Sequence, residues 1–173
     1  MKKQFLIFLG ILTSLAASRF IPHPPNFTSL IALSFYIPVL LGLRYIPFLV
    51  LSFALTDLFI GYHSGTHWTW GSVLVIGLAS QYFAKSLVTR LFGVLVSACV
   101  FFLLTNFGVW ISGSLYELSL NGFVTCFVLA LPFFGYTLLS TFVFSSIVET
   151  GYLFFKNNFK KILDIPRFLD TPK

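Results

Sequence analysis

The residues able to do chemistry in this chain are few, and most stand at the ends of apolar runs. The densest group is Arg19-Phe20-Ile21-Pro22-His23-Pro24-Pro25-Asn26-Phe27-Thr28, where a guanidinium, an imidazole and a carboxamide are interleaved with three prolines. Asp57 and Asn106 each follow a threonine inside an apolar run, in Leu55-Thr56-Asp57-Leu58-Phe59 and Leu104-Thr105-Asn106-Phe107-Gly108, and a Ser-Gly pair follows each (Ser64-Gly65 and Ser112-Gly113). A charged side chain in such a run costs at least about 2.5 kcal/mol unless it finds a partner or water, so it marks a functional site by default. His63 and His67 stand four apart and, with Glu117 or His23, would make a metal site. Gly65 between them favours a loop instead, and no HExxH motif is present. Trp68, Trp70 and Trp110 supply flat surfaces for stacking or packing. These side chains suit hydrogen bonding, ion pairing and stacking of a small molecule. No Ser/His/Asp order, phosphate-cradling glycine loop or paired-carboxylate motif occurs, so neither an enzyme nor a cofactor is expected. Cys99 and Cys126 lie in apolar surroundings without a CxxC motif and read as free, packed thiols.

The elements that position these groups are set by composition. Of 173 residues, 57% are hydrophobic and only 9% charged, against roughly a quarter charged in soluble domains. The chain therefore reads as a single-domain, all-α, polytopic membrane protein. The alternating apolar runs and breakers predict helices over about 4–20, 28–43, 46–62, 71–84, 87–110 and 132–155. Proline fixes φ and lacks a backbone donor, so residues 19–28 must form a stiff extended loop between the first two helices. Pro38 is expected to kink the second. The run from Ser119 to Phe155 is too long for one span of a roughly 30 Å hydrocarbon core. It is divided at Pro132, leaving a short outer helix over about 119–131; a kinked span over residues 121–146 is the other division. Residues 156–173 read as a basic tail on the membrane face. Lys2-Lys3 and Ser14-Leu15-Ala16-Ala17-Ser18 also allow a cleaved signal peptide, but cleavage would discard a helix with its own packing pattern.

Six spans with both termini cytoplasmic place Lys2, Lys3, Arg44, Lys85, Arg90, Lys156, Lys160, Lys161, Arg167 and Lys173 inside, ten of the eleven basic residues. The formal charge of +6 is then explained by topology, without nucleic acid. Arg19 alone falls outside, which makes Asp57 its natural partner, either as a structural ion pair or as part of a substrate site. Arg19, His23, Asn26, Asp57, Trp68, Trp70, Asn106 and Trp110 all gather on that outer side as candidate substrate-binding residues. In the first helix Gly10, Ser14 and Ser18 recur at four-residue spacing with Ala17 beside them, a pattern that admits a closely packed helix, from this chain or from a partner.

Taken in order, Arg19-x-x-Pro-His-Pro-Pro-Asn-Phe-Thr28, Asp57-x-x-x-Gly61, Thr105-Asn-Phe-Gly-Val-Trp110, Asn121-Gly-x-x-x-Cys126 and Ala130-Leu-Pro-Phe-Phe134 resemble a family of uncharacterised bacterial membrane proteins with the R-x-x-P-H-P-P-N-F-T signature. The resemblance spans the chain to about Phe155. That family is in turn similar, in size and helix number, to the substrate-binding (S) components of energy-coupling-factor vitamin transporters. The likeness implies an inner-membrane bundle with an outward-facing pocket roofed by loops, binding a vitamin-like molecule or metal ion. It also implies docking through the first helix on a coupling subunit driven by ATPases. Here Gly10, Ser14, Ala17 and Ser18 stand where such helices carry alanines. The expectation is a substrate-binding component for uptake of a small vitamin-like molecule. The alternative is a scaffold or assembly factor that works through helix packing.

Overall fold

Helix α1 (Lys2–Phe20) ends where the proline loop begins, and five more helices follow: α2 (Leu30–Leu41), α3 (Ile46–Ile60), α4 (Thr66–Ala79), α5 (Leu87–Ile111) and α6 (Leu120–Leu163). The computed structural model describes residues 2–63 and 65–163, with side chains to residue 155, and no strand occurs among them. The basic tail expected from residue 156 has only its backbone described to residue 163 and lies outside the described residues beyond that. Among the described residues four helical stretches are long and apolar enough to cross a membrane: Lys2–Phe20, Leu43–Ile60, Leu87–Ile111 and Leu120–Phe155. Short connections reverse the chain, so the ends of α1, α3 and α5 lie with the starts of α2, α4 and α6. We call this the loop end.

The boundaries follow local chemistry. Gly42, at φ +100°, ends α2 and hands the chain to a short 3-10 turn, Leu43–Tyr45, before α3 starts with Pro47 in its first turn. Ser86 caps α5: its Oγ accepts from the Thr89 N–H at 3.1 Å, and Thr89 Oγ1 accepts from the Ser86 N–H at 2.9 Å. Two expectations are corrected. The first concerns α4, which starts at Thr66, not near residue 71. The Gly65 carbonyl accepts the N–H groups of Trp68 and Thr69, and Thr66 Oγ1 holds the His63 N–H at 3.0 Å, so the turn expected as loop is already helical and carries His67, Trp68 and Trp70. The second concerns residues 119–155, which form no separate outer helix. Helix α6 passes unbroken through Pro132. A proline leaves one carbonyl, four residues back, without its helical donor, but in an apolar setting a break would expose several such groups.

Helix α2 lies at the centre. Nine of its twelve residues are buried, which fits a helix that is apolar all round. On one side Leu30 and Ile37 pack with Ile11 and Leu15 of α1, Leu49 and Phe53 of α3 and Val73 of α4. On the other, Phe35 and Val39 pack with Ile76 and Val94. Gly93 permits this closeness, since a Cβ there would stand 2.6 Å from both the Phe35 and Phe83 side chains.

Candidate ligand cavity

Arg19, in the last turn of α1, and Asp57, near the end of α3, meet at the loop end. Arg19 Nη2 lies 2.6 Å from Asp57 Oδ1, with both side chains largely buried. Trp70, from α4, donates its indole N–H to the other oxygen, Oδ2, at 2.7 Å. The guanidinium also donates to Thr56 Oγ1 and lies over the Phe53 ring, 4.5 Å from its centroid. Both carboxylate oxygens are thus satisfied by donors from two other helices, which is the condition for holding a charge out of water.

The proline loop is anchored on both sides of this pair. Its Phe27 N–H turns back to the Pro24 carbonyl at 3.0 Å, and Asn26 takes φ +62°, a left-handed geometry that asparagine tolerates. On the α6 side the Ser140 hydroxyl reaches the Asn26 carbonyl at 3.3 Å, and Phe27 packs against Phe144. On the α1 side the Ser29 N–H donates to Ser18 Oγ at 3.1 Å, and the two serine hydroxyls bond at 2.7 Å. Ser18 is therefore committed to a contact within the chain.

Beneath the loop is a cavity of about 280 Å³, just below the roughly 300–1,000 Å³ of sites for drug-sized ligands. Each of the six helices lends it a wall residue: Arg19, Ile31, Asp57, Thr69, Phe101 and Thr137, from α1 to α6 in turn. His23, Asn26 and Thr28 from the loop and His63 from the α3–α4 turn complete its polar lining. The two histidines offer opposite chemistry. His23 Nδ1 lies 2.7 Å from the Pro24 carbonyl, which can only accept, so neutral His23 carries its proton on Nδ1 and leaves Nε2 an acceptor. His63 Nδ1 accepts the Gly65 N–H at 3.1 Å, so neutral His63 carries its proton on Nε2 as a donor.

Arg19, His23, Asn26 and Asp57 thus stand where the sequence suggests, around one cavity, and Trp70 stands behind Asp57. Three expected residues go elsewhere. Asn106 donates to the Phe102 carbonyl of its own helix at 2.8 Å. Trp68 packs face-on over Gly108, where a Cβ would overlap the indole, and edge-on with Phe107. Trp110 donates to the Glu117 carbonyl at 3.0 Å and closes the α5–α6 loop. The likeness of the Asp57 and Asn106 segments therefore builds no shared pocket. Among the described residues no three His, Cys, Asp or Glu side chains group as metal ligands would. Of the proposed docking stripe, Gly10 and Ser14 line a separate apolar groove of about 460 Å³ between α1, α2 and α6, and Ala17 is exposed. Thr69, Phe101 and Thr137 are cavity residues that the sequence did not single out, and His63, weighed there only as a metal ligand, lines the cavity as well.

A model described as a family of unknown function, DUF6580, matches residues 1–162. The chain belongs to this family. No curated protein and no solved structure matches it.

The DUF6580 chain carries a second buried charge centre that spacing did not reveal. At the opposite end of the bundle Arg90, in the first turn of α5, pairs with Glu149 of α6 through two bonds, Nε–Oε1 at 2.5 Å and Nη2–Oε2 at 2.8 Å. The Tyr36 hydroxyl of α2 donates to the same Oε1 at 2.9 Å, and Arg90 Nη1 donates to the Ala84 carbonyl at 3.2 Å. One signal was legible: a glutamate inside an apolar helix needs a cationic partner, although Arg19, Arg44 and Arg90 all lie within apolar stretches and spacing does not choose among them.

Proposed function

We propose that this chain is a membrane transport protein that binds a small polar molecule in the cavity beneath the proline loop. In this reading all six helices cross the bacterial inner membrane, both termini are cytoplasmic, and the loop end faces outward. The observation that carries the reading is the single cavity to which every helix lends a side chain, walled by the Arg19–Asp57 pair and covered by a pre-stiffened loop. Prolines lower the entropy lost when such a loop closes over a ligand. The cavity's modest size and the opposite hydrogen-bonding of His23 and His63 favour a compact, net-neutral molecule bearing both a donor and an acceptor. That is narrower than the ring-stacking vitamin first expected, because Trp68 and Trp110 pack elsewhere. Role and architecture would then resemble a substrate-binding component of an energy-coupling-factor transporter, with ATP hydrolysis supplied by a partner.

Native mass spectrometry of detergent-extracted protein, followed by thermal-shift screening of the molecule recovered, tests this. His63→Ala and Thr137→Val should abolish ligand-induced stabilisation while Asn106→Ala retains it. Equal stabilisation in all three variants would remove the cavity as the site. The scaffold reading draws on a different observation, the apolar groove bordered by Gly10 and Ser14, whose glycine has no atom within 4 Å of an added Cβ. A stoichiometric protein partner without a bound small molecule would favour it.

A further inference from the structure

Below the cavity, α6 presents Thr137, Thr141, Ser145 and Glu149 at four-residue intervals, all buried. Thr137 lines the cavity; Glu149 is the carboxylate held by Arg90 and Tyr36. The row therefore connects the two charge centres through the middle of the bundle. Two of its members are ordinary helix hydroxyls. Thr137 Oγ1 donates to the Phe133 carbonyl at 3.0 Å and Thr141 Oγ1 to the Thr137 carbonyl at 2.6 Å, which leaves each oxygen free to accept. Ser145 differs: it has no exposed surface and its Oγ makes no close hydrogen bond, and it faces the Tyr36 hydroxyl of the Arg90–Glu149–Tyr36 cluster. A buried hydroxyl without a close partner is costly, and water is the usual remedy. Valine or alanine at these positions would pack against α2 and α5 without that cost.

We propose that this hydroxyl row is the route by which water and small polar solutes pass from the cavity toward the opposite end, with the Arg90–Glu149–Tyr36 cluster as its closing barrier. The inference rests on the reading of the cavity as the binding site and extends it: the chain itself holds a path and a gate. Arg90, Glu149 and Tyr36 join three helices, α5, α6 and α2, so separating Arg90 from Glu149 frees the lower halves of α5 and α6 to part. Tyr152 lies beside this barrier, its ring centroid 5.9 Å from the Arg90 guanidinium carbon.

The test is cysteine accessibility in a full-length chain with Cys99 and Cys126 replaced by alanine. The probe is a membrane-impermeant trimethylammonium methanethiosulfonate applied at the loop end in native membranes. Thr137→Cys, Thr141→Cys and Ser145→Cys should all react, with rates falling in that order, and adding Glu149→Gln should speed modification at Ser145→Cys about tenfold or more. A Leu49→Cys control, buried in the cluster that α3 forms with α1 and α2, should stay inert. Reaction at Thr137→Cys alone, with Thr141→Cys and Ser145→Cys as inert as the control in both backgrounds, overturns the path but keeps the cavity. No reaction at Thr137→Cys removes both. Should Glu149→Gln fail to fold, Ser145→Ala decides independently: melting within about 3 °C of the parent, together with loss of uptake of the molecule identified by mass spectrometry, supports the path. A larger fall in melting temperature, or unchanged uptake, overturns it.

Discussion

Asp57 shows how a charged side chain is kept in an apolar bundle: one oxygen faces Arg19 and the other faces Trp70. Removing one member of a buried pair leaves the other charge uncompensated, at a cost of about 3–5 kcal/mol. Asp57→Ala should therefore lower unfolding stability in detergent by about that amount, and Arg19→Met combined with Asp57→Leu should recover most of the loss, as read by denaturant melts. Gly108 is a second single-residue constraint. A methyl group there would overlap the Trp68 indole, so Gly108→Ala should cost about 1–3 kcal/mol by overpacking, visible as a lower melting temperature. Asn106→Ala, which removes only a bond to its own helix, should stay within about 0.5 kcal/mol of the parent. At this scale the need of Asp57 for Arg19 was legible, because Arg19 was the one fixed cation expected at the same end of the helices as that carboxylate. The direction in which Asn106 and Trp110 point was not, because polarity at a helix end does not say which neighbour the side chain meets.

At the scale of elements, the proline loop and α6 behave in opposite ways. Three prolines within residues 22–25 stiffen the α1–α2 loop, which turns at Pro24–Phe27 and is tied down at Ser18 and Ser140. Replacing Pro24 and Pro25 with glycine should leave the helices intact but loosen the loop. Each such change costs about 0.4–1 kcal/mol through chain entropy, so amide exchange at Phe27 and Thr28 should accelerate about tenfold. Pro132, by contrast, sits inside a helix that continues past it. The difference is context. The loop prolines have polar and solvent-exposed neighbours, whereas Pro132 lies in an apolar run where unsatisfied backbone groups cost more than a lost helical bond. Sequence punctuation alone weighs all prolines alike. The same limit hid the early start of α4, which depends on the Gly65 carbonyl and the Thr66 hydroxyl as first-turn partners.

Across the whole molecule, two charge centres divide the six helices between them. Asp57 of α3 is held by Arg19 of α1 and Trp70 of α4; Glu149 of α6 is held by Arg90 of α5 and Tyr36 of α2. Each helix contributes one member, and each carboxylate is bound by an arginine and an aromatic donor. Removing Glu149 should cost about 3–5 kcal/mol as well. Because the two centres share no side chain, the losses in Asp57→Ala and Glu149→Ala should add within about 0.5 kcal/mol, measured by denaturant melts of the single and double variants. The proposed topology is checked by reporter fusions: a cytoplasm-active fluorescent protein should be active at both termini, and a periplasm-active phosphatase should be active when inserted at residue 114, in the α5–α6 loop.

By itself the sequence determined that this chain is helical and apolar enough for a membrane, where its breakers fall, and that a charged pair must lie near the proline loop. Those properties are local: they follow from composition, proline stereochemistry and the cost of burying charge. Only the tertiary structure decided which polar groups converge. The rotation of each helix about its axis sends Asn106, Trp68 and Trp110 away from the cavity and brings in Thr69 and Thr137. Contacts between residues 59 and 113 positions apart join Glu149 to Arg90 and Tyr36. Neither rotation nor long-range pairing leaves a local signature, because both are set by how all six helices pack at once.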